Sequence, residues 1–267
     1  MYMFSIKKQL LKPPPLGLVL SGGGVRGMAH IGVIKVMEEL GISADYVAGT
    51  SAGALVGAFY AAGYSADEML AFFQNTPLFS FQNLSFKKNG WVDIEKLMPA
   101  FQTFFPEDSF ESLQRKLYVT ATDLLKPSCT IFESGKLIER ILASAAIPLV
   151  FTPVKMDNSI YVDGGISNNF PIEPLLPHCS QIIGVYVNPI VEMKETDISS
   201  RLGVLERAYH IGIALPAVSK FEQCTIFISP EELTAYKSLD KKHISTIYEI
   251  GYKAAKKMIP LFKALKK

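Results

Sequence analysis

Apolar residues in this chain fall into short unbroken runs separated by glycine, proline and polar clusters. Leu16 to Leu20 follows three prolines and is apolar without alternation, which predicts a strand buried on both faces of a parallel sheet. After a glycine-rich stretch the period becomes helical from about Met28 to Leu40. Met28, Ile31, Val33, Ile34, Val36 and Met37 are apolar there, Lys35, Glu38 and Glu39 are left for solvent, and Gly41 ends the run. A strand over Asp45 to Ala48 and a helix ending near Gly63 complete a β-loop-α-β-α unit with a right-handed crossover.

Ser65-Ala66-Asp67-Glu68 is a capping box that opens another helix. Between 76 and 90 the period dissolves, and Leu78, Phe79, Phe81, Leu84 and Phe86 stand among polar residues. Such a loop either packs onto its own domain or covers a lipid-binding mouth. Pro99 splits the helical pattern of 93–105 into two pieces. Leu117 to Thr122 reads as a strand with Cys129 to Phe132 pairing near it, and Lys136 to Ala146 as a helix stopped by Pro148. Val154 to Met156 and Ile160 to Val162 form a hairpin around Asp157-Asn158-Ser159. Gln181 to Val187 and Thr225 to Ile228 are further strands, and Leu202 to Lys220 and Ile244 to Leu265 further helices. Nothing reads as a linker, so the expectation is one α/β domain over 1–267.

Composition narrows this reading. With 49% hydrophobic and 19% charged residues the chain can bury a substantial core. A net charge of +2 gives no footprint for nucleic acid. Cys129, Cys179 and Cys224 lie far apart, which fits a reducing compartment and predicts neither disulfide nor metal site. The N-terminus lacks a signal-peptide core and no stretch is long enough to span a bilayer, so the expected location is cytoplasmic. Lys253, Lys256, Lys257, Lys263, Lys266 and Lys267, with no acid after Glu249, form either a solvated helix end or a weak attraction to anionic lipid at a membrane surface.

Two glycine motifs carry candidate chemistry. In Gly49-Thr50-Ser51-Ala52-Gly53 an apolar strand turns sharply into a helix, exposing the Ser51 hydroxyl above the positive helix end. Gly22-Gly23-Gly24-Val25-Arg26-Gly27 gathers backbone N–H groups at a helix N-terminus, a nest for a phosphate or a developing oxyanion. A dinucleotide site would want an acid at the end of the second strand, where Gly49-Thr50-Ser51 stands instead. A nucleophile beside an anion nest suits acyl transfer. The serine also needs a base. Asp163, at a strand end before Gly164-Gly165, is one candidate, although Asp-Gly turns are common. His30 reads as a packing residue, and His178, His210 and His243 leave a Ser…Asp…His order open.

The three motifs in this order resemble the patatin-like phospholipase family, its compact bacterial members and the neuropathy target esterase domain in particular. The resemblance runs from Leu16 to Val187 and includes Ala29-His30-Ile31-Gly32-Val33, Ala121-Thr122-Asp123-Leu124, Ala143-Ser144-Ala145-Ala146-Ile147-Pro148 and Asn168-Asn169-Phe170-Pro171. It implies a three-layer α/β/α sandwich with a mostly parallel sheet. It also implies Ser51 as nucleophile, Asp163 as base without histidine, an oxyanion hole from amides near Gly23, Gly24 and Val25, and Arg26 beside it. Gly165 stands where many members have alanine. The implied reaction is cleavage of phospholipid, lysophospholipid or related acyl esters through an acyl-enzyme, with no metal or cofactor. A Ser-His-Asp esterase, a nucleotide-binding module and a non-catalytic scaffold are the alternatives.

Overall fold

The computed structural model describes residues 14–76, 93–193, 198, 200–238 and 241–265. The aromatic stretch from 77 to 90 and Lys266 and Lys267 lie outside the described residues. Eight strands are described: β1 (Leu16–Leu20), β2 (Tyr46–Thr50), β3 (Lys116–Asp123), β4 (Ser128–Phe132), β5 (Val154–Met156), β6 (Ser159–Asp163), β7 (Gln181–Val185) and β8 (Ile226–Ile228). The described helices are α1 (Met28–Glu39), α2 (Ala52–Ala62), α3 (Ala66–Asn75), α4 (Met98–Gln102), α5 (Ile138–Ser144), α6 (Gly165–Asn168), α7 (Arg201–Val218), α8 (Ile244–Lys257) and α9 (Ile259–Ala264).

The strands form one sheet in the order β5-β6-β3-β2-β1-β7-β8, with β4 also on β3. From β3 through β8 all pairings are parallel, whereas β4, β5 and β6 pair antiparallel. The unbroken apolar runs are explained by burial on both faces. Leu18, Leu20, Val47 and Leu117 enter one core with α1, α2 and α8, while Val19, Ala48 and Tyr118 enter a second with Phe170, Ile172 and Ala217. The sheet is therefore the middle layer of an α/β sandwich.

One detail of pairing positions the site. Val119 and Thr120 pair with both β2 and β4, and Ala121 to Asp123 pair with both β4 and β6. A strand has two edges, so β2 and β6 lie end to end along the same edge of β3. They run toward each other: Thr50 ends β2 opposite Thr120, and Asp163 ends β6 opposite Ala121.

Most local expectations hold. Ser65 and Glu68 form the capping box of α3, and Asp157 and Asn158, both at positive φ, make the two-residue hairpin turn. The helix expected over 244–265 is in fact two, because Pro260 has no N–H and its ring crowds the carbonyl four residues earlier. The start of α5 shifts to Ile138, where the remote Asp108 Oδ1 accepts from Leu137 and Ile138 N–H at 3.1 and 2.7 Å.

Helix α8 packs on α1 through glycines. A Cβ on Gly251 would sit 2.0 Å from the Ala29 carbonyl oxygen, and one on Gly32 would sit 2.2 Å from that of Tyr248. Backbone faces backbone at this crossing, so no side chain can give way. Gly251→Ala is expected to lower stability by about 3 kcal/mol despite alanine's better helix propensity, as thermal or denaturant unfolding would show.

Candidate active site

The second strand delivers Ser51 into a strained corner. Ser51 has φ 54° and ψ −123° immediately before α2, a conformation that a non-glycine residue keeps only when its surroundings impose it. The imposition is visible at Gly53, where a Cβ would lie 2.2 Å from the Leu20 carbonyl oxygen. β1 and α2 pass too closely for any side chain there, and the turn puts the Ser51 hydroxyl at the end of the sheet.

From the opposite direction β6 delivers Asp163. The Ser51 hydroxyl donates to Asp163 Oδ2 at 2.6 Å, and the Gly165 amide donates to Asp163 Oδ1 at 2.7 Å. Both side chains are buried, Ser51 at 4% and Asp163 at 3% exposure. Burial pushes the Asp163 carboxyl up to about 6, although the bonds from Ser51 and Gly165 pull it down. Tyr209 of α7 faces the same carboxylate, its hydroxyl oxygen 3.5 Å from where a Gly165 Cβ would stand. Burial, reinforced by the Asp163 charge, raises the Tyr209 phenol and keeps it neutral.

The glycine-rich loop lies against this pair. Gly22 donates to the Asn169 carbonyl at 3.4 Å and accepts from Asn188 Nδ2 at 2.5 Å. Gly24–Gly27 form a 3-10 turn. The Val25 amide, expected among the oxyanion donors, donates to the Ser238 carbonyl at 2.7 Å, because the turn points it toward the segment after β8. It is therefore already engaged, leaving Gly23 and Gly24 as the candidate oxyanion donors. Arg26 reaches the Tyr236 carbonyl at 2.7 Å and Asn188 Oδ1 at 3.4 Å, so it braces the loop. Gly24 and Ser51 share an apolar cavity of about 20 Å³ with Leu55, Leu97, Leu142 and Phe151, room for about one water.

The Ser51–Asp163 bond is direct, with no histidine between the two groups. His178 stacks on Tyr46, at the start of β2, with ring centroids 5.0 Å apart. His30 is fully buried against the Ser21 carbonyl at 2.8 Å, and burial lowers it to about 4. His210 and His243 contact Tyr209 and Tyr236. Residues that carry no chemical signature in the sequence do touch the site: Ser144, whose hydroxyl accepts from the Ser51 amide at 2.8 Å, and Asn188, Tyr209 and Ser238. Ser144 stood inside a recognisable stretch, but nothing local announced which atoms it would hold. Among the described residues no His, Cys, Asp and Glu cluster could hold a metal ion.

The sequence model described as patatin-like phospholipase matches residues 18–176, more than half of the chain and inclusive of every motif above. The chain belongs to the patatin-like phospholipase family. An uncharacterized NTE family protein of Mycobacterium bovis is 35% identical over 165 residues, covering 61% of this chain and 46% of that protein. The Yarrowia lipolytica lysophospholipase NTE1 is 25% identical over 189 residues, covering 67% of this chain and 13% of that protein. This chain thus spans under half the length of these relatives. Among solved structures VipD of Legionella pneumophila has the same fold, with a TM-score of 0.54 at 15% identity over 96% of this chain and 68% of that one. In this patatin-like chain Asn188, Tyr236 and Ser238 brace the glycine-rich loop, and Tyr209 faces Asp163, from outside the matched segment.

The raised Asp163 carboxyl has a consequence for stability. Between the ordinary 3.8 and about 6 the folded state binds the proton more tightly than the unfolded chain, so stability falls as pH rises through that window. At pH 7 the buried charge costs the fold on the order of 3 kcal/mol. Asp163→Asn keeps an acceptor for Gly165 and loses the charge. It is expected to stabilise the protein at pH 7 by up to that amount, with the gain vanishing near pH 4 in denaturant titrations.

Proposed function

We propose that this protein is a serine lipid acyl hydrolase that cleaves carboxyl esters of phospholipids, lysophospholipids or related acyl esters with a Ser51–Asp163 dyad. The observation that carries the reading is the 2.6 Å bond between these two buried groups beside an apolar cavity and a glycine-rich loop. Family membership and the lysophospholipase name of one relative support the lipid substrate class.

Ser51 Oγ attacks the ester carbonyl carbon as its proton passes to Asp163 Oδ2. An unperturbed aspartate is a poor base, and a carboxyl raised to about 6 is better matched to the task. The oxyanion settles on the Gly23 and Gly24 amides, with the N-terminus of α2 adding positive potential. Collapse expels the alcohol, which takes the proton from Asp163. Water, deprotonated by Asp163, then attacks the acyl-enzyme, and the fatty acid leaves as Ser51 recovers its proton. A cavity of about 20 Å³ cannot hold an acyl chain, so entry parts the walls around Leu97 and Phe151.

In this reading the chain acts as one domain in the cytoplasm, peripherally at lipid surfaces. Among the described residues no helix is long and apolar enough to cross a membrane. The C-terminal lysines are partly tied down, with Lys256 on Glu39 at 3.1 Å and Lys257 near Glu232 at 3.9 Å. Support for a lipid surface comes instead from α7, which leaves Val204, Leu205, Ile211, Leu215 and Val218 exposed.

Ser51→Ala and Asp163→Asn are each expected to reduce p-nitrophenyl ester hydrolysis by about 10³-fold or more in folded protein. A fluorophosphonate probe should label Ser51, and kcat/KM should rise with pH to a plateau above about 6, as Asp163 ionises. His178→Ala and His210→Ala should stay active; loss of activity in either would favour a Ser-His-Asp esterase. Leu215→Glu combined with Val218→Glu should weaken co-flotation with lipid vesicles while leaving hydrolysis of a short soluble ester unchanged.

A further inference from the structure

The junction between β2 and β6 has a weak point. Where two strands meet end to end, the residues just past their last paired positions, Ser51 and Gly164, fall outside the ladder with β3. The missing partners come from the end of α5. The Ser51 N–H donates to Ser144 Oγ at 2.8 Å, the Gly164 N–H to the Ser144 carbonyl at 3.2 Å, and the Asp163 N–H to the Ala146 carbonyl at 2.9 Å. A helix ends with unpaired carbonyls, and here they are satisfied by the base-bearing loop. Ser144 is fully buried. Its side chain holds the nucleophile's backbone while its main chain holds the residue after the base.

We propose that Ser144 is a positioning residue that sets the Ser51–Asp163 distance. The Ser51 amide sits in the strained corner at φ 54°, outside the hydrogen bonding of α2, and Ser144 Oγ is the acceptor the structure gives it. Removing that acceptor leaves a buried N–H unsatisfied, and the corner relaxes toward ordinary helical or extended backbone. The Ser51 hydroxyl then swings off Asp163 Oδ2. A shift of about 1 Å at such a pair can cost about 10²-fold in rate. The groups facing Asp163 are the Ser51 hydroxyl, the Gly165 amide and the neutral Tyr209, and the Ser51 bond is the one that Ser144 controls. Because that bond lowers the Asp163 carboxyl, its loss moves the carboxyl further upward.

This inference rests on the proposed hydrolase for its kinetic arm only. Ser144→Ala and Ser144→Thr are compared with the unaltered protein in ester hydrolysis, fluorophosphonate labelling and amide hydrogen exchange of the peptide containing Ser51. The alanine variant should lose about 10- to 100-fold in kcat with KM within about twofold, and label correspondingly slowly. The limb of its pH profile should move to higher pH, and exchange at the Ser51 amide should accelerate. Threonine, which keeps an Oγ, should restore most of the rate. Unchanged kcat and exchange in Ser144→Ala would overturn the proposal, as would a rate loss with neither a pH shift nor faster exchange. If the unaltered protein neither hydrolyses esters nor labels at Ser51, the hydrolase reading fails, and the exchange result still decides whether Ser144 holds the corner.

Discussion

One edge of β3 carries two strands that run toward each other, and the meeting of their ends brings the candidate catalytic groups together. Thr50 and Asp163 finish β2 and β6 opposite the consecutive residues Thr120 and Ala121. Ser51 follows Thr50 directly, so its hydroxyl is 2.6 Å from Asp163 although 112 positions of chain separate them. Sheet register, which the burial of both faces holds fixed, therefore also fixes the separation of the two side chains. α5 closes the gap between the strand ends, and α2 leaves from it.

That junction places a carboxylate where the fold would prefer none. Asp163 is buried beside the end of α5 and the start of α6, and among the described residues its carboxylate oxygens accept from the Ser51 hydroxyl and the Gly165 amide. Two hydrogen bonds do not offset the loss of water around a charge, which is why the carboxyl rises to about 6. The penalty to folding and the capacity to take a proton near neutral pH have the same origin. Asp123 shows the contrast at the end of the same β3: it accepts from Leu125, Lys126 and Ser159, and its carboxyl is lowered.

The glycine-rich loop is held from the far end of the chain. Ser238 and Tyr236 receive Val25 and Arg26, and α8 crosses α1 with glycine against backbone, so the C-terminal third fixes the loop that precedes α1. The motifs supply the groups of the site, and segments after residue 187 supply much of their rigidity.

Local rules were enough to read most elements, because β1, α1, β2 and α2 are specified by short-range pattern: uninterrupted apolar runs, a helical stripe, and the glycines at 49 and 53. Ser51, the glycine loop and Asp163 were likewise legible as residue types at recognisable turns. The break at Pro260 was also within reach of local chemistry. Only the tertiary structure decided that β6 would run antiparallel on the same edge as β2, since strand order depends on which surfaces bury each other and not on any one segment. It alone turned the Val25 amide toward Ser238 and brought Ser144 to the Ser51 amide and Tyr209 to the carboxylate. Those contacts join residues far apart in the chain, and a lone serine or tyrosine carries no periodicity that would announce its partner.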